Sequence, residues 1–382
     1  MHKVICSKHI KEKFIKRHIE ATGYPGVCSY CTKEIERKVM DLDDLAKFIQ
    51  EGISFLYEDA AEQVAYDSAE GGYLMPTYSN HEIFWNIGLE MDAKVFDDVV
   101  WCIEDFAWVD RDPYGGSPSE NMMYDWKDFK TAVTRFQRYT IFLATRKNSF
   151  DYTVRTAEIL DEIGEFIFAF DLIKTINAGS KLFRCQQHPE VETITTAERL
   201  TSPPDDLALF SNRMNPAGVS MFYGAYDPEI AKLETVDTED ATKRVYTIGE
   251  FTANRKLRLV DLTKLPRIPS IFDTEGRKDY HEIKFLHQFT EDISKPIPKN
   301  SKLEHIEYIP TQVVTEYFRY ILSEKYKPID GLAYRSAKDK KGLCVALFFD
   351  TKPPSKILAS IRQELRDTFC HKYHAYACNY CP

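Results

Sequence analysis

The apolar positions change rhythm partway along the chain. From residue 36 to about 175 they recur every three or four residues, the period of one face of a helix. Leu45, Phe48, Ile49, Ile53 and Leu56 predict a helix over 42–57. The same spacing predicts helices over 80–89, 93–108, 126–142 and 153–170, with loops at Gly71-Gly72 and across 113–118. The aromatic residues of this half fall at helical spacing, an arrangement that packs a core more often than it binds a ligand.

Beyond residue 181 the rhythm shortens to apolar and aromatic runs of strand type, over 182–185, 219–226, 244–251, 256–262, 332–337 and 344–349. Helical stretches interrupt them at 279–290 and 313–323. Strands and helices mixed in this way predict an α+β domain behind an N-terminal all-α domain. The segment 193–209, with Ser202-Pro203-Pro204-Asp205-Asp206, reads as a surface loop able to close over a site. The expected divisions are 1–35, 36–175, 176–365 and 366–382.

Composition narrows the function classes. The 382 residues suffice for two or three domains with a sizeable core. A net charge of −9 disfavours a protein whose main task is to hold a nucleic-acid backbone. No run reaches the length of a membrane span. The opening segment, MHKVICSKHIKEKF, lacks the apolar core of a signal peptide, so the expected location is cytoplasmic. The nine cysteines then read as thiols or metal ligands rather than disulfides.

Four of those ligands form a pattern. Cys6-x-x-His9 is followed, after 18 intervening residues, by Cys28-x-x-Cys31. Two such pairs close a tetrahedral zinc site, and four protein ligands leave no open position for a substrate, so the role is structural. The rival reading makes Cys6 and His9 incidental and Cys28/Cys31 a buried thiol pair. Between the pairs, 10–21 is basic with Ile10, Phe14, Ile15 and Ile19 at helical spacing. A second cluster, Cys370, His371, His374, Cys378 and Cys381, is either another metal site or the end of a helix.

The stretch 213–234, RMNPAGVSMFYGAYDPEIAKLE, organises the second half. Arg213 and Asn215 precede Gly218, whose backbone is free to turn. An apolar run containing Tyr223 follows. Asp227-Pro228 then opens a helix, Asp as N-cap and Pro at its first position, and that helix carries Glu234. A cation, an aromatic ring and a carboxylate from one loop–strand–helix unit suit a nucleotide glycoside.

These blocks resemble the core motif of the RES domain family. The matching residues are Arg213-x-Asn215-x-x-Gly218, Tyr223 and Asp227-Pro-Glu-Ile-Ala-Lys-Leu-Glu234, with Ile230 in place of a more usual Thr. Leu182-Phe183-Arg184 stands upstream. Downstream come Tyr308-Ile-Pro-Thr-Gln312 and Asp330-Gly331-Leu-Ala-Tyr334-Arg335-Ser336. The resemblance implies a fold similar to the ADP-ribosyltransferases and destruction of NAD, as substrate, by hydrolysis or phosphorolysis. It implies catalytic roles for Glu234, Ser336 and Arg213, and NAD contacts from Arg184, Arg213 and Tyr223. The helical half, zinc-like pairs included, is similar to the HEPN-like domain that precedes some RES domains. It also implies a toxin or defence effector restrained by an antitoxin or other regulatory protein, and self-association is a further expectation.

Each residue has a plainer alternative. Arg184 suits a surface ion pair, Arg213 a turn, Tyr223 core packing, Glu234 a solvated helix face and Ser336 a turn cap. Glu229 suits compensation of the helix dipole. Cys185, with His188 as its nearest histidine, is not assigned as a nucleophile. Thr311 and Gln312 either contact substrate or fix a loop. Ribonucleases of the HEPN class use an Arg followed by a His with four to six residues between them. Arg135, Arg138, Arg146 and Arg155 have no His at that distance, so the helical half reads as a scaffold. The competing functions are an ADP-ribosyltransferase acting on a protein or nucleic acid, and an inactive zinc-containing interaction module.

Overall fold

A computed structural model of the chain describes residues 3–141, 152–203, 207–296, 304–348 and 372–377. They form two compact units, 1–122 with 267–285 and 123–266 with 286–382. Among the described residues no helix is long and apolar enough to cross a membrane.

The first unit is helical with small strand additions, so all-α was too narrow an expectation. Strands β1 (Val4–Cys6), β2 (Tyr24–Val27) and β3 (Glu36–Asp41) make an antiparallel sheet in the order β1-β3-β2. Two two-stranded ladders add β4 (Tyr57–Asp59) with β7 (Trp108–Asp110), and β5 (Tyr66–Asp67) with β6 (Gly72–Tyr73). The helices are Lys13–Thr22, Leu42–Ile53, Asn80–Asn86 and Ala93–Cys102, with a one-turn piece at Ala60–Gln63. Ser79 and Glu82 close a capping box at the start of Asn80–Asn86.

The helix expected over 93–108 stops at Cys102 because Trp108 is claimed elsewhere. Its backbone pairs with Tyr78, and its indole donates to Asn80 Oδ1 at 2.6 Å. The core joins Ile5, Ile15, Leu45, Ile49, Phe84 and Val99 to Phe272 of the later segment. Gly52 permits this last contact, since a Cβ there would stand 2.4 Å from the Phe272 ring.

The second unit is built on an eight-stranded sheet. Its strands are β8 (Ile173–Ile176), β9 (Lys181–His188), β10 (Met221–Ala225), β11 (Val245–Thr252), β12 (Leu257–Asp261), β13 (Gly331–Arg335), β14 (Leu343–Phe348) and β15 (Lys372–Ala377). Their order is β15-β11-β9-β10-β14-β13-β12-β8, antiparallel except for β12 against β13. Side chains alternate between the faces. Leu182, Phe222, Phe251, Leu259 and Val345 pack together in one core cluster, and Cys185, Ala225, Ile248 and Cys344 in another.

Helices differ from expectation where caps intervene. Ser117 bonds Glu120 through both backbone and hydroxyl, so a helix begins at Pro118, runs to Thr131 and continues as a wider turn to Phe136. The expected helix over 313–323 begins earlier, because Pro310 at an opening position suits Ile309–Glu316, which then widens through Tyr317–Leu322. The expected loop 193–209 contains a one-turn helix, Ala197–Leu200, with Ile194 and Leu200 buried in the core. Of the tail cluster, Cys370, His371, Cys378 and Cys381 lie outside the described residues, as does the side chain of His374.

Candidate functional site

The site begins at a break in the sheet. β9 pairs with β11 along all eight of its residues, but with β10 only through Phe183 and Ala225. Beyond Phe183 the two strands part. Arg184, the next residue, donates from Nη1 to the Tyr223 carbonyl of β10 at 3.3 Å, and its guanidinium lies 5.4 Å from the Phe222 ring. Burial pulls this guanidinium down to about 10, and among the described residues no carboxylate pairs with it. A half-buried cation without a counter-ion is costly unless something else supplies the negative charge.

The loop after the break carries Arg213. Gly218 adopts φ +86°, as its place in the motif predicted, and its N–H bonds the Ala208 carbonyl at 2.7 Å. Asn215, buried, donates to the Val219 carbonyl at 2.7 Å and accepts the Tyr223 hydroxyl at 2.6 Å. The Tyr223 oxygen also accepts from Met214 N. Tyr223 therefore braces this loop through its hydroxyl. Gln312 also braces the loop, donating to Ser211 Oγ, the Asn212 carbonyl and the Asn215 carbonyl. Of the two roles open to Gln312, the contacts fit fixing the loop. Arg213 emerges from this frame, its Nη1 on the Ile293 carbonyl at 2.7 Å, again with no carboxylate partner among the described residues.

Glu234 comes from the helix Pro228–Thr235. Asp227 caps its start by accepting from Glu229 N and Ile230 N, and Pro228 occupies the opening position. Glu229 stays exposed beside Lys232, as dipole compensation requires. Glu234 is at the wrong end of the helix for a carboxylate, since the C-terminus carries the negative end of the dipole. Two contacts offset this. The Lys338 ammonium donates to the Leu233 carbonyl, and the Ser336 hydroxyl donates to Glu234 Oε1. Ser336 Oγ in turn accepts from Lys338 N and Asp339 N, at 3.1 and 3.0 Å. Glu234 Oε2 has no protein partner among the described residues.

Arg184, Arg213, Tyr223 and Glu234 all line one cavity of about 1360 Å³ inside the second unit, and Ser336 reaches it through Glu234. The volume exceeds the roughly 300–1,000 Å³ of pockets for drug-sized ligands. Six cationic residues line it (Arg184, Arg199, Arg213, Lys243, Arg335 and Lys338) against Glu234, Asp237 and Asp240. The cavity is thus locally basic in an acidic chain.

Tyr308 and Tyr334 also line the cavity, and both stand in motif blocks where the sequence alone gives them no role. Their signal was position, Tyr308 opening one motif block and Tyr334 standing two residues before Ser336. Burial, with Cys344 and Glu234 nearby, raises the Tyr334 hydroxyl far above its ordinary range, so it stays a neutral phenol. Cys185 is pushed up to about 12 by burial, which makes it a poor nucleophile. His188 turns away, to Thr247 Oγ1 at 2.9 Å.

In the first unit the other predicted residues also meet. The donor atoms of Cys6, His9, Cys28 and Cys31 lie within 4.8 Å of one another. Cys6 Sγ is 3.7 Å from Cys31 Sγ, close to the ~3.8 Å separating two thiolates held tetrahedrally at ~2.3 Å from one zinc. His9 Nε2 is 3.3 Å from Cys31 Sγ, and its Nδ1 is 2.6 Å from Asp92 Oδ2. A carboxylate behind the imidazole is the usual support for a metal-binding His. The donor set therefore fits a structural metal ion.

Comparison with protein families places these features. Residues 21–147 match HEPN/RES N-terminal domain 1, and residues 181–367 match the RES domain, which spans the whole Arg184–Ser336 constellation. Among curated proteins none matches the chain. The chain is a RES domain protein, in which a HEPN/RES N-terminal domain precedes the RES domain.

Proposed function

We propose that the second unit is an NAD-degrading enzyme that cleaves the bond between nicotinamide and ribose. The observation that carries this is the convergence, on one cavity, of Arg184 and Arg213 without carboxylate partners and of Glu234 held by Ser336. Two guanidiniums can grip the pyrophosphate, because each fork matches phosphate oxygens. Cleavage builds positive charge on the ribosyl carbon. The Glu234 carboxylate would face that charge or bond the ribose hydroxyls through Oε2, its Oε1 being fixed by Ser336. Nicotinamide leaves with the bonding electron pair. Water as acceptor gives ADP-ribose and a proton, whereas inorganic phosphate gives ADP-ribose phosphorylated at the same carbon.

Loss of NAD would harm a cell that makes such an enzyme. The reading therefore extends to a toxin or defence effector of the cytoplasm, restrained by an antitoxin or other regulatory protein. In the first unit, Cys6, His9, Cys28 and Cys31 would hold a zinc ion, whose contribution is to the fold. A fold similar to the ADP-ribosyltransferases belongs to the same reading. It leaves a second activity, transfer of ADP-ribose to a protein or nucleic acid, for which the same charges would serve. Following NAD loss by the purified chain, with labelled adenylate to reveal any modified acceptor, tests the two together. NAD consumed with no labelled acceptor supports degradation, and label on a macromolecule supports transfer.

A further inference from the structure

The rim of the cavity has an unusual composition. Within four residues, Leu207, Leu209 and Phe210 expose 63%, 69% and 80% of their surface. Single exposed apolar residues are ordinary, but three together beside a cavity mark a contact surface. All three line the cavity.

The backbone beneath them is fixed rather than loose. Ala208, buried between the two leucines, accepts from Gly218 N at 2.7 Å. Asn212 N bonds the Asn215 carbonyl at 2.9 Å, and Gln312 holds Ser211 and Asn212 at 2.8 Å. An apolar surface on a pinned backbone is prepared for a rigid, flat, apolar partner at low entropic cost.

Its position says which partner. Phe210 is three residues from Arg213 on the same loop, a reach of at most ~11 Å along the backbone. A ligand gripped by Arg213 through a phosphate and extending along the loop meets this rim within one nucleoside length. The same lining carries Tyr334 and Glu234, the latter on Ser336. Resting on the proposed NAD reading, we infer that Leu207, Leu209 and Phe210 form a platform for the purine base of the dinucleotide, with Phe210 as the stacking ring. The platform makes the enzyme select the dinucleotide over nicotinamide mononucleotide, which has the scissile bond but no purine.

The test compares wild type, Phe210→Ala and Phe210→Trp on NAD and on nicotinamide mononucleotide. Phe210 is exposed, so its truncation leaves the fold intact, and an unchanged melting temperature verifies this. Stacking of a base on an aromatic ring changes affinity by roughly ten-fold. The expected result for Phe210→Ala is a KM for NAD about ten-fold higher, an unaltered kcat, and unaltered constants for the mononucleotide. Phe210→Trp should retain the wild-type KM for NAD. Wild-type constants for NAD in Phe210→Ala, or equal losses on both substrates, would overturn the platform while leaving NAD cleavage standing. A wild-type chain that cleaves neither compound overturns both.

Discussion

Ser336 donates its hydroxyl hydrogen to Oε1 of Glu234, joining residues 102 positions apart in the chain. Ser336 Oγ itself accepts two backbone N–H groups, from Lys338 and Asp339. Its one proton is thus committed to Glu234, and its acceptor capacity to the turn that carries it. Ser336 thus occupies Oε1 of Glu234 and leaves Oε2 without a protein partner among the described residues.

Glu234→Gln keeps the shape of this arrangement and removes the charge. Loss of one electrostatic stabiliser typically costs ~10²–10³ in rate. The expected variant has kcat for NAD cleavage lowered by about that factor and an unchanged melting temperature. Ser336→Ala should lower kcat less, with little change in KM, because the carboxylate remains but swings. Steady-state kinetics on both variants checks this, and wild-type turnover in Glu234→Gln would remove it from the reaction.

Arg213 separates charge from geometry. Arg213→Lys keeps a cation but not the fork, and Arg213→Ala keeps neither. A charge-assisted contact is worth about 1.5–3 kcal/mol, so Ala should weaken NAD binding roughly ten- to hundred-fold, with Lys in between. If Arg213 only pins its turn through the Ile293 carbonyl, both variants would lose thermal stability without a specific loss of NAD affinity. Calorimetric titration and melting curves on the same samples distinguish the cases.

Arg184 gives the site a pH limit. Burial lowers its guanidinium to about 10, so at neutral pH the charge is present at some cost to the fold. That cost is relieved as pH rises through about 10, because the folded state then favours the neutral form. Binding of an anion has the opposite sign, since it needs the charged form. NAD affinity should therefore hold through neutrality and fall as pH passes about 10. Affinity independent of pH across that range would mean that Arg184 does not meet the phosphates.

Much of this site was legible in the sequence because it is local. Asp227-Pro228 marked the helix start, Gly218 the turn, and the apolar run the strand that bears Tyr223. Arg213, Tyr223 and Glu234 follow from that loop–strand–helix unit, and with Arg184 they line one cavity. What escaped depends on long-range pairing. Neither the parting of β9 from β10 nor the commitment of the Tyr223 hydroxyl to Asn215 has a local signal. The same holds for the small strands of the first unit. Trp108 falls at the helical spacing of 93–108, yet its pairing with Asp59 draws it into the β4–β7 ladder.

The cysteine site makes a prediction free of catalysis. Purified wild type should carry one zinc per chain, and Cys28→Ser/Cys31→Ser should carry none at that site. Because metal binding is folding free energy in such sites, the double variant and the chelated wild type should both melt at lower temperature. Equal zinc content in wild type and variant would show that the four donors meet without a metal.

The proposed reaction is cleavage of NAD at the nicotinamide–ribose bond, with Glu234 at the ribose and Arg184 and Arg213 at the phosphates. Its most direct measurement is the mass of the products formed from NAD by the purified chain, with and without inorganic phosphate, beside Glu234→Gln as control. The account predicts free nicotinamide in both cases. The other product should be ADP-ribose when water is the acceptor and its phosphorylated form when phosphate is, with neither formed by the control. Intact NAD after incubation with the wild-type chain, or equal product from Glu234→Gln, would contradict it.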